Sequence, residues 1–295
     1  MYYLLSLISG ILIALMLTAN GQLAAQYDLH WATVFIHATG LIISVIYVMV
    51  KRDRPFASRH RWVWYLGGAL GVTNTIFANV AIAQLSVSAL IGLNLLGQSI
   101  TGLVVDHFGL WGMPKRPMRR GNLVGLVVIL GGIASMLTSF ALIGVLAGLA
   151  LGAGVVATRT LNAQLTRLTS VPTSTFYNFA VGLLCSIPVF LLLGDWGGGM
   201  AGLAFSSHWF MYIGGVLSVG IVALNSIAAV KISGFYLTLF LFIGQVFTGV
   251  LLDMVLEGAF APRIFIGGLA VALGLCVNLL LDRRRRQKEE AVNAE

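Results

Sequence analysis

Charge is scarce in this chain. Of 295 residues only 9% are charged, against 58% apolar. A water-soluble domain carries about 25% charged residues, so too little charge is present to dress an aqueous surface. Cysteine is nearly absent: Cys185 and Cys276 lie inside apolar runs and form neither a disulfide framework nor a metal motif. His30, His37, His60, His107 and His208 are scattered without metal-ligand spacing. No Gly-x-x-x-x-Gly-Lys-Ser/Thr phosphate loop occurs, which excludes ATP hydrolysis by this chain. No Ser, His and acid constellation stands out. No catalytic residue, metal or cofactor is therefore expected, and the chain does not read as an enzyme. The first apolar run also lacks a signal-peptide cleavage site of A-x-A type after a basic n-region.

What the chain has is long apolar runs. A membrane helix needs about 20 predominantly apolar residues. Ten such runs read at roughly 3–24, 31–50, 62–83, 86–108, 120–138, 140–158, 173–194, 208–230, 234–256 and 263–281. The fold class is thus an all-α integral membrane protein with ten transmembrane helices. All six tryptophans, Trp31, Trp62, Trp64, Trp111, Trp196 and Trp209, fall near span ends, as an interfacial belt would place them. Threading the spans puts all but one of the 18 Lys and Arg residues on one face, with Arg263 the exception. Positive charge near helix ends marks the cytoplasmic side. Both termini are then cytoplasmic. The net charge of +8 belongs to short loops that face anionic lipid, not nucleic acid.

An internal repeat divides the chain. Residues 10–41 match 152–183 without a gap: Gly10 with Gly152, Thr18 with Thr160, Asn20 with Asn162, Gln22 with Gln164, Gly40 with Gly182. Gly97-Gln98 matches Gly244-Gln245, Thr101 matches Thr248, and Asp106 matches Asp253. The units are 1–138 and 139–281, each of five helices, followed by a basic cytoplasmic tail, 282–295. Five is odd, so the second unit enters from the opposite face. Inverted repeats are the usual construction of secondary transporters, with binding near the midplane between them.

Small residues recur every four positions at Ser6, Gly10, Ala14 and Thr18, and at Gly144, Gly148 and Gly152. Such a face lets helices approach closely in lipid, either as static packing or as a sliding surface. The threading leaves no Asp, Glu, Lys or Arg near the middle of a span. Asp106 and Asp253 sit near span ends, as anchors or as gate and proton-coupling groups. Neutral polar residues are more numerous inside: His37, Asn74, Asn94, Gln98, Thr101, Tyr177, Asn178, Asn225, Gln245 and Thr248. A lipid-facing amide is costly, so these face the bundle interior. Each alone serves as helix glue; Gln98 and Gln245 together suit a substrate site.

Gly97-Gln98, then Asp106-His107-Phe108-Gly109-Leu110-Trp111-Gly112, a basic loop and a Gly-rich apolar helix resemble the signature of the YdcZ-like family, in the drug/metabolite transporter superfamily. Leu161-Asn162-Ala163-Gln164-Leu165 and Phe179-Ala180-Val181-Gly182 resemble its first two helices. The resemblance spans nearly the whole chain as two fused copies, and it implies an inner-membrane transporter, often assigned to export. The second copy departs from the pattern, since Met254, Val255 and Leu256 follow Asp253. The central Glu on the first helix of small multidrug-resistance relatives has no counterpart here. The expected protein moves a small organic solute by alternating access. The solute is held by Gln98, Gln245, Asn94, Asn74, Asn225, Thr101, Thr248 and Tyr177, with Asp106 and Asp253 as gate or proton-coupling groups. An uncoupled facilitator and a non-transporting membrane scaffold are the alternatives, and the oligomeric state, including a homodimer, is open.

Overall fold

The computed structural model describes residues 1–82, 84–85, 87–116, 127, 141–195, 206–256, 262, 265–266 and 269. Among the described residues there are eight α-helices and no strand. They are α1 (Tyr2–Gln26), α2 (Leu29–Lys51), α3 (Gly67–Ile82), α4 (Val87–Phe108), α5 (Leu142–Leu168), α6 (Val171–Leu193), α7 (Gly214–Lys231) and α8 (Gly234–Leu256). The sequence predicts ten spans. Its fifth and tenth, 120–138 and 263–281, and the tail 282–295 lie outside the described residues. Six helices, α1, α2, α5, α6, α8 and α7 with its leading turn, are long and apolar enough to cross a membrane.

Burial is turned inside out relative to a soluble bundle. Large apolar side chains such as Leu4, Leu17, Ile46, Leu146, Leu184 and Leu192 are exposed, while Ser6, Ser9, Ser44, Ser174, Thr175 and Thr238 are buried. Association in lipid depends on close packing and interhelical hydrogen bonds rather than on expelling apolar surface. Hydroxyls in these helices close on carbonyls of the preceding turn, as Thr33 does on Leu29 at 2.8 Å and Ser6 on Tyr2 at 3.0 Å.

Helices of the two sequence copies interleave. α1 packs on α7 and α8; the related α5 packs on α3 and α4; α2 packs on α6. The closest crossings are glycine on glycine. A Cβ on Gly10 would stand 3.0 Å from the Cα of Gly244, and one on Gly97 would stand 3.1 Å from the Cα of Gly152. These two crossings are exchanged by the sequence repeat. The stripe Gly144, Gly148 and Gly152 runs along α4, meeting Leu85, Leu93 and Asn94 in turn.

A Cβ at Gly152 would run into the Asn94 carbonyl and the Gln98 amide, which are backbone atoms. Relief requires parting α4 from α5. Gly152→Ala is therefore expected to cost ~1–3 kcal/mol, the range for overpacking a filled core. Gly21→Ala, where a Cβ meets nothing within 4 Å, should leave the thermal midpoint of the detergent-purified protein unchanged. Equal midpoints for the two variants would refute the tight crossing.

The third and eighth predicted spans begin differently from a simple helix. Each opens with a 3-10 segment, Trp62–Tyr65 and Trp209–Ile213. Each then enters its helix through a glycine pair, the first glycine facing α5 or α1 and the second α6 or α2. A Cβ on Gly67 would collide with Asn162, and one on Gly214 with Asn20. These asparagines are repeat partners, as are the two glycines.

The loop after α2 clamps the start of α6. Ser170 caps α6 by accepting from the Thr173 amide at 3.1 Å. Asp53 accepts from the Ser170 hydroxyl and, at 2.8 Å, from Thr173 Oγ1. Burial alone would raise the Asp53 carboxyl; the Ser170 and Thr173 hydroxyls and the Arg54 amide outweigh it and hold it below 3.8. A depressed folded value stabilises the fold above the unfolded value and is lost as pH falls through the folded one. Asp53→Asn should therefore flatten the fall in thermal midpoint below about pH 4. A variant whose acid sensitivity equals that of the wild type would count against this clamp.

Candidate functional site

Near the C-terminal end of α4 the chain turns back on itself. Gly109, Trp111 and Gly112 all adopt left-handed backbone, with φ of 65°, 51° and 73°. The two glycines meet that demand without strain, and Trp111 is held by docking on α5. Arg167 Nη1 donates to the Gly112 carbonyl at 2.6 Å and to Gln164 Oε1 at 3.3 Å. The turn brings Arg116 back beneath Asp106, where its amide donates to the Asp106 carbonyl at 2.7 Å.

Arg116 and Asp106 then stitch two further helices. Arg116 donates to the carbonyls of Ile232 and, at 3.2 Å, Val230. It thereby satisfies the otherwise unpaired C-terminal end of α7. Asp106 faces the N-terminus of α8, accepting from the Phe235 amide at 3.4 Å. The Gly234 amide and the Ser233 hydroxyl also face it. An acid at a helix N-terminus is favourable there. The Asp106 and Arg116 side chains approach to 4.0 Å. Within the Asp-His-Phe-Gly string, Asp106 is buried, whereas His107 and Phe108 are exposed.

Arg159 corrects the sequence reading. The sequence places it in a loop after a span ending at 158; the structure carries α5 on to Leu168. Arg159 is therefore a buried cation within a membrane-length helix, 6% exposed. Its Nη2 donates to Thr238 Oγ1 of α8 at 2.7 Å. Its Nη1 is buried without a hydrogen-bond partner. Val156 and Ala163, one turn to either side of it on α5, belong to an apolar cluster with Ala228 and Leu237.

The residues predicted for the substrate site are partly gathered. Gln98 is buried on α4 and donates to Asn94 Oδ1 at 3.1 Å, with Thr101 half-buried nearby. Asn74 of α3 donates to Thr158 Oγ1 of α5 at 3.3 Å, and its Oδ1 is buried without a partner. Asn225 of α7 accepts from Ser9 of α1 at 2.9 Å. Gln245 and Thr248 are half-buried on α8. Among the described residues no hydrogen bond joins Gln98 to Gln245. Tyr177 lies elsewhere: its hydroxyl donates to the Pro55 carbonyl at 3.2 Å, and its ring meets Tyr65 at 4.5 Å. Asp253 lies on α8, and its side chain falls outside the described residues. His37 Nδ1 pairs with the Thr33 carbonyl at 2.8 Å, its ring against Gly182.

Two repeat-related helix pairs pack unequally. α5 packs on α7, and Arg159, Asp106 and Arg116 lie at the end of the bundle where α4 and α7 finish and α8 begins. The repeat-related pair, α1 and α3, makes no comparable contact among the described residues. The opposite end holds an aromatic group instead. There Tyr27 and Tyr212 share a hydroxyl contact of 2.6 Å, and Trp31 stacks on Phe35 at 5.3 Å.

A model of the family described as "Putative inner membrane exporter, YdcZ" matches the chain twice, over residues 1–135 and 143–277. The fold is similar to that of a protein of known crystal structure, with a TM-score of 0.70 and 18% identity over 96% of both chains. No curated protein matches.

Proposed function

Because the chain belongs to the YdcZ family of inner membrane exporters, we infer that it is a secondary transporter of a small organic solute. The observation that carries this reading is the unequal packing of two related helix pairs, α5 with α7 and α1 with α3. Two copies joined at glycine crossings, with one related pair together and the other apart, suit alternating access between inverted five-helix repeats, ten spans in all. The units are 1–138 and 139–281. The solute sits among Asn94, Gln98 and Thr101 of α4, Asn74, Asn225, Gln245 and Thr248, while Asp106 and Asp253 serve the gates.

Positive charge orients the Asp106–Arg116 end toward the cytoplasm. Arg116 and Lys231 lie there, with Arg52 and Arg54 on the adjoining loop. Both termini are then cytoplasmic. A reporter fused after Glu295 should read as cytoplasmic and one inserted near Gly198 as external. Reversed signals would refute the orientation. Reconstituted protein should move solute without a partner chain. Failure to do so would favour a membrane scaffold instead.

A further inference from the structure

Among the described residues Arg159 has a charge with no ion-pair partner in contact. Its guanidinium offers five donors in a planar fork, and Nη2 donates to the neutral Thr238 hydroxyl. Nη1 is buried and unpartnered. Asp106 is the acid whose field reaches it. That carboxylate is already committed to Arg116 and to the amide end of α8, and makes no ion-pair contact with Arg159. Among the described residues two cations, Arg116 and Arg159, thus face one anion, and the cluster carries a formal excess of one positive charge. The Phe235 and Gly234 amides at the head of α8 add to the same sign. An ion without a counterpart is held at high cost in a membrane interior, and marks a function by default.

The position of Arg159 ties it to the transport pathway. It follows Gly152 by seven residues, so both lie on one face of α5. Gly152 abuts Gln98 and Asn94 of α4. Seven residues of helix rise about 10 Å, the length of a small organic molecule. The residue just before Arg159, Thr158, is bonded to Asn74. Asn94 and Gln98 therefore lie two turns from the cation along α5, and Asn74 lies at its own level.

We propose that Arg159 binds the carboxylate of the transported solute through its free Nη1 edge. This rests on the transport reading above. The solute class is a small carboxylate-bearing molecule, anionic or zwitterionic, whose uncharged portion extends toward Gln98 and Asn94. A carboxylate matches the guanidinium fork with two parallel hydrogen bonds. It also supplies the one negative charge by which the cluster falls short. Arg159 has Leu17 as its repeat counterpart, so the site is single and asymmetric.

The test uses the full chain in liposomes loaded with a mixture of amino acids, short carboxylic acids, sugars, nucleosides, polyamines and quaternary amines. Mass spectrometry reads which solutes the protein releases. The solutes released by the wild type should carry a carboxylate. Arg159→Met should reduce their release at least tenfold, and Arg159→Lys, which keeps the charge but loses the fork, should retain part of it. The thermal midpoint of Arg159→Met should equal or exceed that of the wild type, since exchanging an unpaired buried charge for an apolar chain relieves its desolvation. Release confined to solutes without a carboxylate overturns the proposal and leaves the transport reading standing. So does full carboxylate release by Arg159→Met. A wild type that releases nothing from the mixture overturns both. A midpoint well below wild type in Arg159→Met, with the Lys variant fully active, would assign Arg159 a packing role instead.

Discussion

Asp106→Ala should lower the stability of the purified protein by about 3 kcal/mol, the low end of the cost of breaking a buried ion pair. The low end applies because Arg116 is partly exposed, at 27%, and recovers some hydration, whereas Asp106 is nearly sealed at 5%. Two helix ends depend on this one carboxylate. Directly, the Phe235 amide at the head of α8 loses its acceptor. Indirectly, Arg116 loses the anion that steadies it against the α7 carbonyls of Val230 and Ile232. The whole stability of a domain is about 5–15 kcal/mol, so the loss should be plain as a reduced yield of folded protein and a lower thermal midpoint. Asp106→Asn retains an acceptor for the amide and should lose less than half as much. Arg159→Met placed in the Asp106→Ala background should recover part of the loss, because it removes a cation left further out of balance. An Asp106→Ala protein as stable as the wild type would show that the α4–α8 junction is held by packing alone.

Several features of this arrangement were legible before any coordinates. The stripe Gly144, Gly148 and Gly152 lies against α4, as small residues at four-residue spacing suggest. The repeat pairing of Gly10 with Gly152 and of Gly97 with Gly244 is realised as two equivalent crossings. Arg159 was not legible, for a physical reason. A charge is ordinarily the sign that a span has ended, so the sequence pattern ends the span at 158. The corrective signal lay in the repeat itself. Thr160, Asn162 and Gln164 match Thr18, Asn20 and Gln22, which lie inside the first predicted span. The same offset carries α5 past Arg159 to Leu168. The correction also removes one cation from the count of cytoplasmic loop charges. The Asp-His-Phe-Gly string, read only as a family signature, proves to be a left-handed turn that returns Arg116 to Asp106. Tyr177 misled because mid-sequence polarity says nothing of depth. It stands two turns into α6, and its hydroxyl reaches the loop at Pro55.

Replacing Gln98 and Gln245 together by Leu should reduce transport kcat/KM by roughly 10- to 100-fold while leaving the fold intact. The magnitude follows from the loss of two solute hydrogen bonds at ~1 kcal/mol each, with more where a solute polar group is left unanswered. Stability should change little. Among the described residues Gln98 bonds to Asn94 one turn earlier on its own helix, so removing it severs no described link between helices, and Leu fills nearly the same volume. Either single change should cost about half the free energy of the pair if the amides act on separate parts of the solute. The contrast with Arg159→Met is informative. Loss of the glutamines should weaken transport of every accepted solute by a similar factor, because an amide both donates and accepts and so discriminates poorly between neutral groups. Loss of Arg159 should act on the carboxylate alone and change which solutes are accepted. Unchanged transport by the double variant, measured in the same liposomes, would remove the two glutamines from the pathway and leave Asn74, with its buried unpaired Oδ1, as the amide nearest to Arg159 along α5.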